Sequence, residues 1–191
     1  MFLLVLGMAL FVLAHGLKIH APSSRERFVG QMGEMPVRGA AAVAIFASVV
    51  LIVLGYQQAP FVNIWTPPAW ATHLNNLLMV IAIGVFIAGT FKSHIRHWIR
   101  HPQITGVKIW AVAHLLVNGD LASIILFGGM LGWAVAAMIG VNKRDGKGPK
   151  PAAGTMKGNL IHAGVTVALV IGVALAHNWA GVWPFAGSPP G

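Results

Sequence analysis

The chain has 191 residues, of which 57% are hydrophobic and only 9% charged, and its mean hydropathy is +0.75. A soluble domain carries about 25% charged residues, so a soluble monomer is excluded, as is a disordered chain, which needs low hydrophobicity and high charge. The formal net charge is +9 and there is no Cys, which excludes disulfides, thiolate metal sites, cysteine-ligated iron–sulfur clusters and covalently attached c-type haem. What remains is an all-α integral membrane protein, read as a single transmembrane domain over residues 1–191.

A membrane helix needs about 20 mostly apolar residues. Phe2 to Leu17 is the first such stretch and holds no charge. A secretory leader would have Lys or Arg ahead of the apolar run and a small-x-small cleavage site after it. Neither is present, Leu13-Ala14-His15 being no such site, so the stretch reads as a retained span. The second span is expected over Gly39–Tyr56 and the third over Leu74–Phe91, with Asn75 and Asn76 near its start. The next apolar stretch, Ile104 to Val141, is about 38 residues long, too long for one crossing at about 1.5 Å per residue. Asn118-Gly119-Asp120 lies inside it and reads as a turn, Gly119 supplying a positive φ and Asp120 capping the next helix. The stretch therefore divides into Ile104–Val117 and Leu121–Gly140, and Leu160–His177 is the sixth span. Phe61–Trp70, with Pro60, Pro67 and Pro68, reads as a loop on the outer surface. Gly146–Gly154 reads as a flexible linker and the segment after Trp183 (Gly187, Pro189, Pro190, Gly191) as a ragged tail. Ala40, Ala41, Ala42, Ala44, Gly128, Gly129 and Gly132 are small enough for close helix packing.

Charge tests the span count, because cytoplasmic loops collect Lys and Arg. With six spans, Lys18, Arg25, Arg27 and Arg38 fall on one side. Lys92, Arg96, Arg100 and Lys108 join them, as do Lys143, Arg144, Lys147, Lys150 and Lys157, so that all 13 basic residues lie together. Five spans would divide them. The expected topology is six spans with both termini outside, on the periplasmic side of a bacterial inner membrane. The positive charge then faces anionic lipid and implies no nucleic-acid partner. Trp65, Trp70, Trp179 and Trp183 fall at the outer interface and Trp98 at the inner one.

Nine His accompany only four acidic residues. Ionisable groups inside a membrane are functional hypotheses by default. The topology puts two His deep, His15 late in the first span and His114 within the fourth. Imidazole is a haem ligand, and two His on facing helices can hold a haem by both axial positions. A second constellation is His94, His97 and His101, whose offsets suit one helical face and which with His15, His20 and His162 would make a His-rich metal site. Against it, Pro102 disfavours helix at His101. Arg25, Arg27 and Arg38 match carboxylate geometry and are candidates for haem propionates. Glu34 is expected to pair with one of them.

Arg100-His101-Pro102-Gln103, followed by Gly106, Trp110, Ala113-His114-Leu115-Leu116 and Asn118-Gly119-Asp120, resembles the NnrU family of bacterial membrane proteins. Leu121-Ala122-Ser123, Phe127-Gly128, Trp133-Ala134, His15, the first-loop arginines and Trp65-Thr66-Pro67 fit as well. The resemblance implies a link to nitric oxide and nitrite metabolism in denitrification. The family in turn is similar to the zeta-carotene isomerase of plants and cyanobacteria, a membrane haem b enzyme that shares Arg100-His101-Pro102-Gln103 and Ala113-His114. That similarity implies haem b held by His15 and His114, with His101 ordering the start of the fourth span or bonding near the haem edge. The isomerase carries a Cys three residues before its ligand; Ala111 stands there in this chain.

Three function classes follow. The first is a haem protein of nitric oxide metabolism, acting as sensor or redox helper. The second is a haem-dependent cis–trans isomerase of a carotenoid or other polyene. The third is a haem-free protein with a His-rich metal site.

Overall fold

The computed structural model describes residues 1–146, 148 and 151–185, the Lys18 side chain aside. Lys147, Lys150 and the tail residues Gly187, Pro189, Pro190 and Gly191, to which the sequence assigns a charge or a role, lie outside the described residues. The described residues are helical with no strand, only an isolated antiparallel bridge between Asn63 and Asp120. In chain order the helices are α1 (Phe2–His20), α2 (Pro22–Met32), α3 (Glu34–Gln57), α4 (Ala71–Ile87), α5 (His94–Trp98), α6 (Pro102–Leu115), α7 (Leu121–Ser123), α8 (Gly129–Asp145) and α9 (Met156–Trp179). A 3-10 turn, Ala88–Thr90, extends α4, and a π-helical turn, Ile124–Gly128, joins α7 to α8.

The six stretches expected as spans are helical except at Phe91, Leu116 and Val117. Four continuous stretches are long and apolar enough to cross a membrane: Glu34–Gln57, Ala71–Thr90, Leu121–Asp145 and Met156–Trp179. The bent pair Phe2–Leu17 and Pro22–Met32 makes a fifth if counted as one. The chain is thus a multi-pass membrane protein, and its helices turn apolar side chains such as Val43, Phe46 and Leu160 outward, as lipid contact requires. The fourth expected span is the short one. Its 14 residues reach about 21 Å, against a hydrocarbon core of about 30 Å.

Backbone contacts gather into two compact units, residues 1–64 with 120–147, and residues 65–119 with 148–191. In the first unit α1 packs along α3 and against α8. Leu4, Met8, Ile52 and Ala122 form its core. The close approach is made by Gly7 and Gly55: a Cβ on Gly55 would run into the backbone of Leu3 and Leu4, and one on Gly7 would lie 2.8 Å from the Ile52 nitrogen. Of the small residues picked from the sequence, Gly128 and Gly132 face open space and Ala40 and Ala42 are exposed. The segment joining the first two expected spans, to which the sequence assigns no secondary structure, is the helix α2. Pro22 sits in its first turn, where the missing N–H costs nothing and the fixed φ suits the helix. The axis turns by 80° between Phe2–Leu17 and Pro22–Met32.

In the second unit α4 packs along α6 and α9. Gly106 on α6 lies where a Cβ would strike Phe86 of α4. The start of α9 is tied to the end of α4, since the Thr155 backbone N–H donates to the Lys92 carbonyl at 2.9 Å.

The turn at Asn118-Gly119-Asp120 forms, for a different reason than expected. Gly119 does not have a positive φ. It lacks a side chain because a Cβ there would collide with the Trp65 carbonyl, and the Trp65 N–H donates to the Gly119 carbonyl at 3.1 Å. The glycine admits a crossing strand of backbone rather than a left-handed turn.

Candidate functional site

Two helical positions four residues apart face each other along one side of a helix, and that spacing sets the surroundings of His15 and His114. His15 stands on α1 one turn after Phe11. Its Nδ1–H donates to the Phe11 carbonyl at 3.0 Å. The Phe11 ring lies 4.1 Å from the imidazole and Trp133 of α8 lies 5.1 Å away, edge-on. Phe11 and Trp133 also touch each other, at 5.0 Å, so the His15 ring is held in an aromatic corner of the first unit.

His114, in the second unit, repeats the pattern on α6. Its Nδ1–H donates to the Trp110 carbonyl at 3.0 Å, and the Trp110 ring lies 5.2 Å from it. The Asn118 amide donates to the His114 backbone carbonyl at 2.9 Å, closing the last turn of α6. Both imidazoles are half-buried.

A ring whose Nδ1 carries the proton keeps its lone pair on Nε2. A metal-ligating His is usually fixed in this way, with the second nitrogen donating to a backbone carbonyl. The donor chemistry of His15 and of His114 is thus of the kind that would hold a haem iron. The bond is not by itself a mark of ligation, because the half-buried His177 makes it too, to Val173 at 2.8 Å.

The remaining sequence candidates separate. His101 is the N-cap of α6, ahead of Pro102, and its carbonyl accepts from the Thr105 N–H at 2.9 Å. That is the ordinary first bond of a helix, and the His101 side chain makes no cap bond. Arg25 and Arg38 both reach Glu34 Oε1, at 2.5 and 2.7 Å. The ion pair expected for Glu34 exists and engages both arginines, so binding a propionate would mean giving up that partner. Arg27 is exposed on α2.

The expected His-rich cluster does not assemble as one helical face. The helix α5 ends at Trp98, and Ile99 and Arg100 separate it from α6, as Pro102 led one to expect. His94 Nδ1 accepts from the Asn159 amide at 2.8 Å, and His97 Nδ1–H donates to the Pro151 carbonyl at 2.7 Å. The buried His162 donates from Nε2 to the Gly84 carbonyl at 2.7 Å and stacks on Phe91. Among the described residues no three His, Cys, Asp or Glu side chains converge to hold a metal ion.

One polar network escaped the sequence reading. In the first unit Asp120 accepts from the Ser123 N–H at 3.0 Å and from the Ser123 hydroxyl at 2.6 Å, and Ser123 lies 2.8 Å from the Tyr56 hydroxyl. The Asp cap was legible; the link to Tyr56, 67 residues from Ser123 in sequence, was not. Removing the carboxylate leaves the fully buried Ser123 hydroxyl with Tyr56 alone and takes the acceptor from the Ser123 N–H. Asp120→Ala is expected to cost about 1 kcal/mol for the cap and ~0.5–1.5 kcal/mol for the lost Ser123 hydroxyl bond. Thermal unfolding in detergent checks this, with Asp120→Asn, which keeps an acceptor, expected to lose less than half as much.

A sequence model of the NnrU family, described as NnrU protein, matches residues 3–184. No curated protein and no solved structure gives a match.

Proposed function

The chain belongs to the NnrU family, and from that premise we propose that it binds haem b through His15 and His114 and serves nitric oxide or nitrite metabolism as a sensor or redox helper. The observation that carries the reading is that His15 and His114 each give Nδ1–H to the carbonyl one turn back and also pack on the aromatic ring of that same residue. The proposal places six spans in a bacterial inner membrane as one domain, with both termini outside.

A haem b held by His15 and His114 would supply one-electron chemistry and a site for nitric oxide. The chain's own residues do the rest. Phe11 and Trp133 restrict the His15 ring to one orientation. Trp110 does the same for His114, and Asn118 closes the helix end behind it. Arg27 is the first-loop arginine without a Glu34 contact and is the propionate partner we favour. The polyene isomerase reading lacks its thiol, since Ala111 is buried where the isomerase carries Cys, and no observation favours it over the first.

An absorption spectrum of the purified protein, oxidised and then dithionite-reduced, tests the proposal. A Soret band with sharp reduced α and β bands is expected, and nitric oxide should shift it. Haem-supplemented expression that yields no Soret band refutes haem binding. A Soret band that nitric oxide leaves unmoved refutes the gas-responsive role.

A further inference from the structure

All four acidic residues of the chain, Glu26, Glu34, Asp120 and Asp145, belong to the first unit. The second unit has no Asp or Glu, yet it carries Lys92, Arg96 and Lys157 near one end. Their nearness follows from the backbone. Lys92 precedes α5, its carbonyl is bonded by the Thr155 N–H, and Gly158 packs onto that same carbonyl. Lys157 is therefore beside the α4–α5 corner, and Arg96 is on α5 itself. Anionic partners for this corner must come from outside the unit.

At the same corner an open groove of about 610 Å³ runs between α4, α5 and α9. Its walls are mostly apolar, with Val80, Ile81, Ala163 and Val167 among them, and Trp98 stands at the α5 side, largely exposed. Pockets of roughly 300–1,000 Å³ hold a small ligand or one chain of a larger one. The groove is preformed, because Asn159 clamps α5 twice: its amide donates to His94 Nδ1 and its Oδ1 accepts from the His94 N–H at 3.0 Å. Lys92, Arg96 and Lys157 do not line the furrow but lie on the segments around it, and among the described residues they make no ion pair. An apolar furrow beside such cations matches an amphiphile with an anionic head and a long apolar tail. Basic pockets beside membrane helices bind such headgroups. Trp98 is placed as an interfacial aromatic would be at the head-to-tail boundary.

We propose that this groove seats one acyl chain of an anionic phospholipid, with the phosphate against Lys92, Arg96 and Lys157. The site rests on the membrane reading alone and uses neither haem ligand, so it stands or falls separately from the haem proposal. The protein, full length and as purified, is placed in phosphatidylcholine nanodiscs doped with phosphatidylglycerol or phosphatidylcholine bearing a nitroxide on the acyl chain. The motionally restricted fraction is expected to favour phosphatidylglycerol by roughly fivefold. That preference should vanish in the Lys92→Gln/Arg96→Gln/Lys157→Gln protein. In Ala163→Trp, which fills the furrow from an exposed position, restriction should fall for both lipids. Val167→Trp, on the same wall, replaces it if that variant does not fold by circular dichroism. Equal restriction of the two lipids in the unmodified protein overturns the proposal. So does a phosphatidylglycerol preference that survives the filled furrow, which would place the lipid elsewhere.

Discussion

The His114→Ala protein is expected to emerge from haem-supplemented expression with its Soret absorbance per protein reduced about tenfold or more, a loss of at least ~1.4 kcal/mol in haem affinity. His15→Ala is expected to retain some haem in a weaker, five-coordinate form with a broadened spectrum. The asymmetry follows the resemblance, in which the residue matching His114 lies inside the shared motif block. His177→Ala is the control, because His177 makes the same bond to the carbonyl one turn back without a place in the proposed ligand pair. If that shared bond merely marks a helical His, all three variants will behave alike. If His15 and His114 ligate, only their removal changes the spectrum, and added imidazole restores a six-coordinate band. Persistence of a normal low-spin spectrum in both His15→Ala and His114→Ala would sink the assignment.

The apolar segments could be read in the sequence because hydropathy over some 20 residues is a sum, insensitive to any one contact. The six stretches are helical except at Phe91, Leu116 and Val117. What the sum missed is local. The segment Pro22–Met32 looks like a loop because it is polar, yet Pro22 at the first turn and a run with no further Pro and only Gly30 to weaken it before Gly33 allow a helix. Gly119 was assigned to the right turn for the wrong cause, since only the folded chain brings the Trp65 carbonyl against it. The glycines that set helix contact, Gly7, Gly55 and Gly106, cannot be told from Gly128 or Gly132 by type. The distinction lies in what faces each one.

The same division runs through the candidate site. The partners of His15 and His114 on their own helices, Phe11 and Trp110, are four residues back and could be found by counting. Trp133 against His15, and Tyr56 against Ser123, come from other helices and had no signal in spacing. The ion pair of Glu34 was legible because acids are so few; that it would hold two arginines at once was not.

Gly55→Val tests the packing that carries His15. A Cβ at this position meets the backbone of Leu3 and Leu4, and backbone cannot rotate away as a side chain does. Overpacking a core costs about 1–3 kcal/mol when side chains can adjust, so this change should exceed the upper figure by forcing α1 off α3. Each kcal/mol moves the midpoint by about 2–4 °C in a chain of this size, so a fall of more than about 6 °C is expected, or failure to purify as a monodisperse species. Gly39→Val, on the same helix but facing open space, carries the same change in helix propensity and should fall by no more than about 2 °C. Equal losses in the two would mean that propensity, not contact, set the effect. The consequence reaches the candidate site because α1 carries both Phe11 and His15. When α1 shifts, the His15 ring leaves the aromatic corner that Trp133 completes. Gly55→Val protein that still folds should therefore show the weakened haem spectrum of His15→Ala with the imidazole itself in place, separating the loss of a ligand from the loss of its orientation.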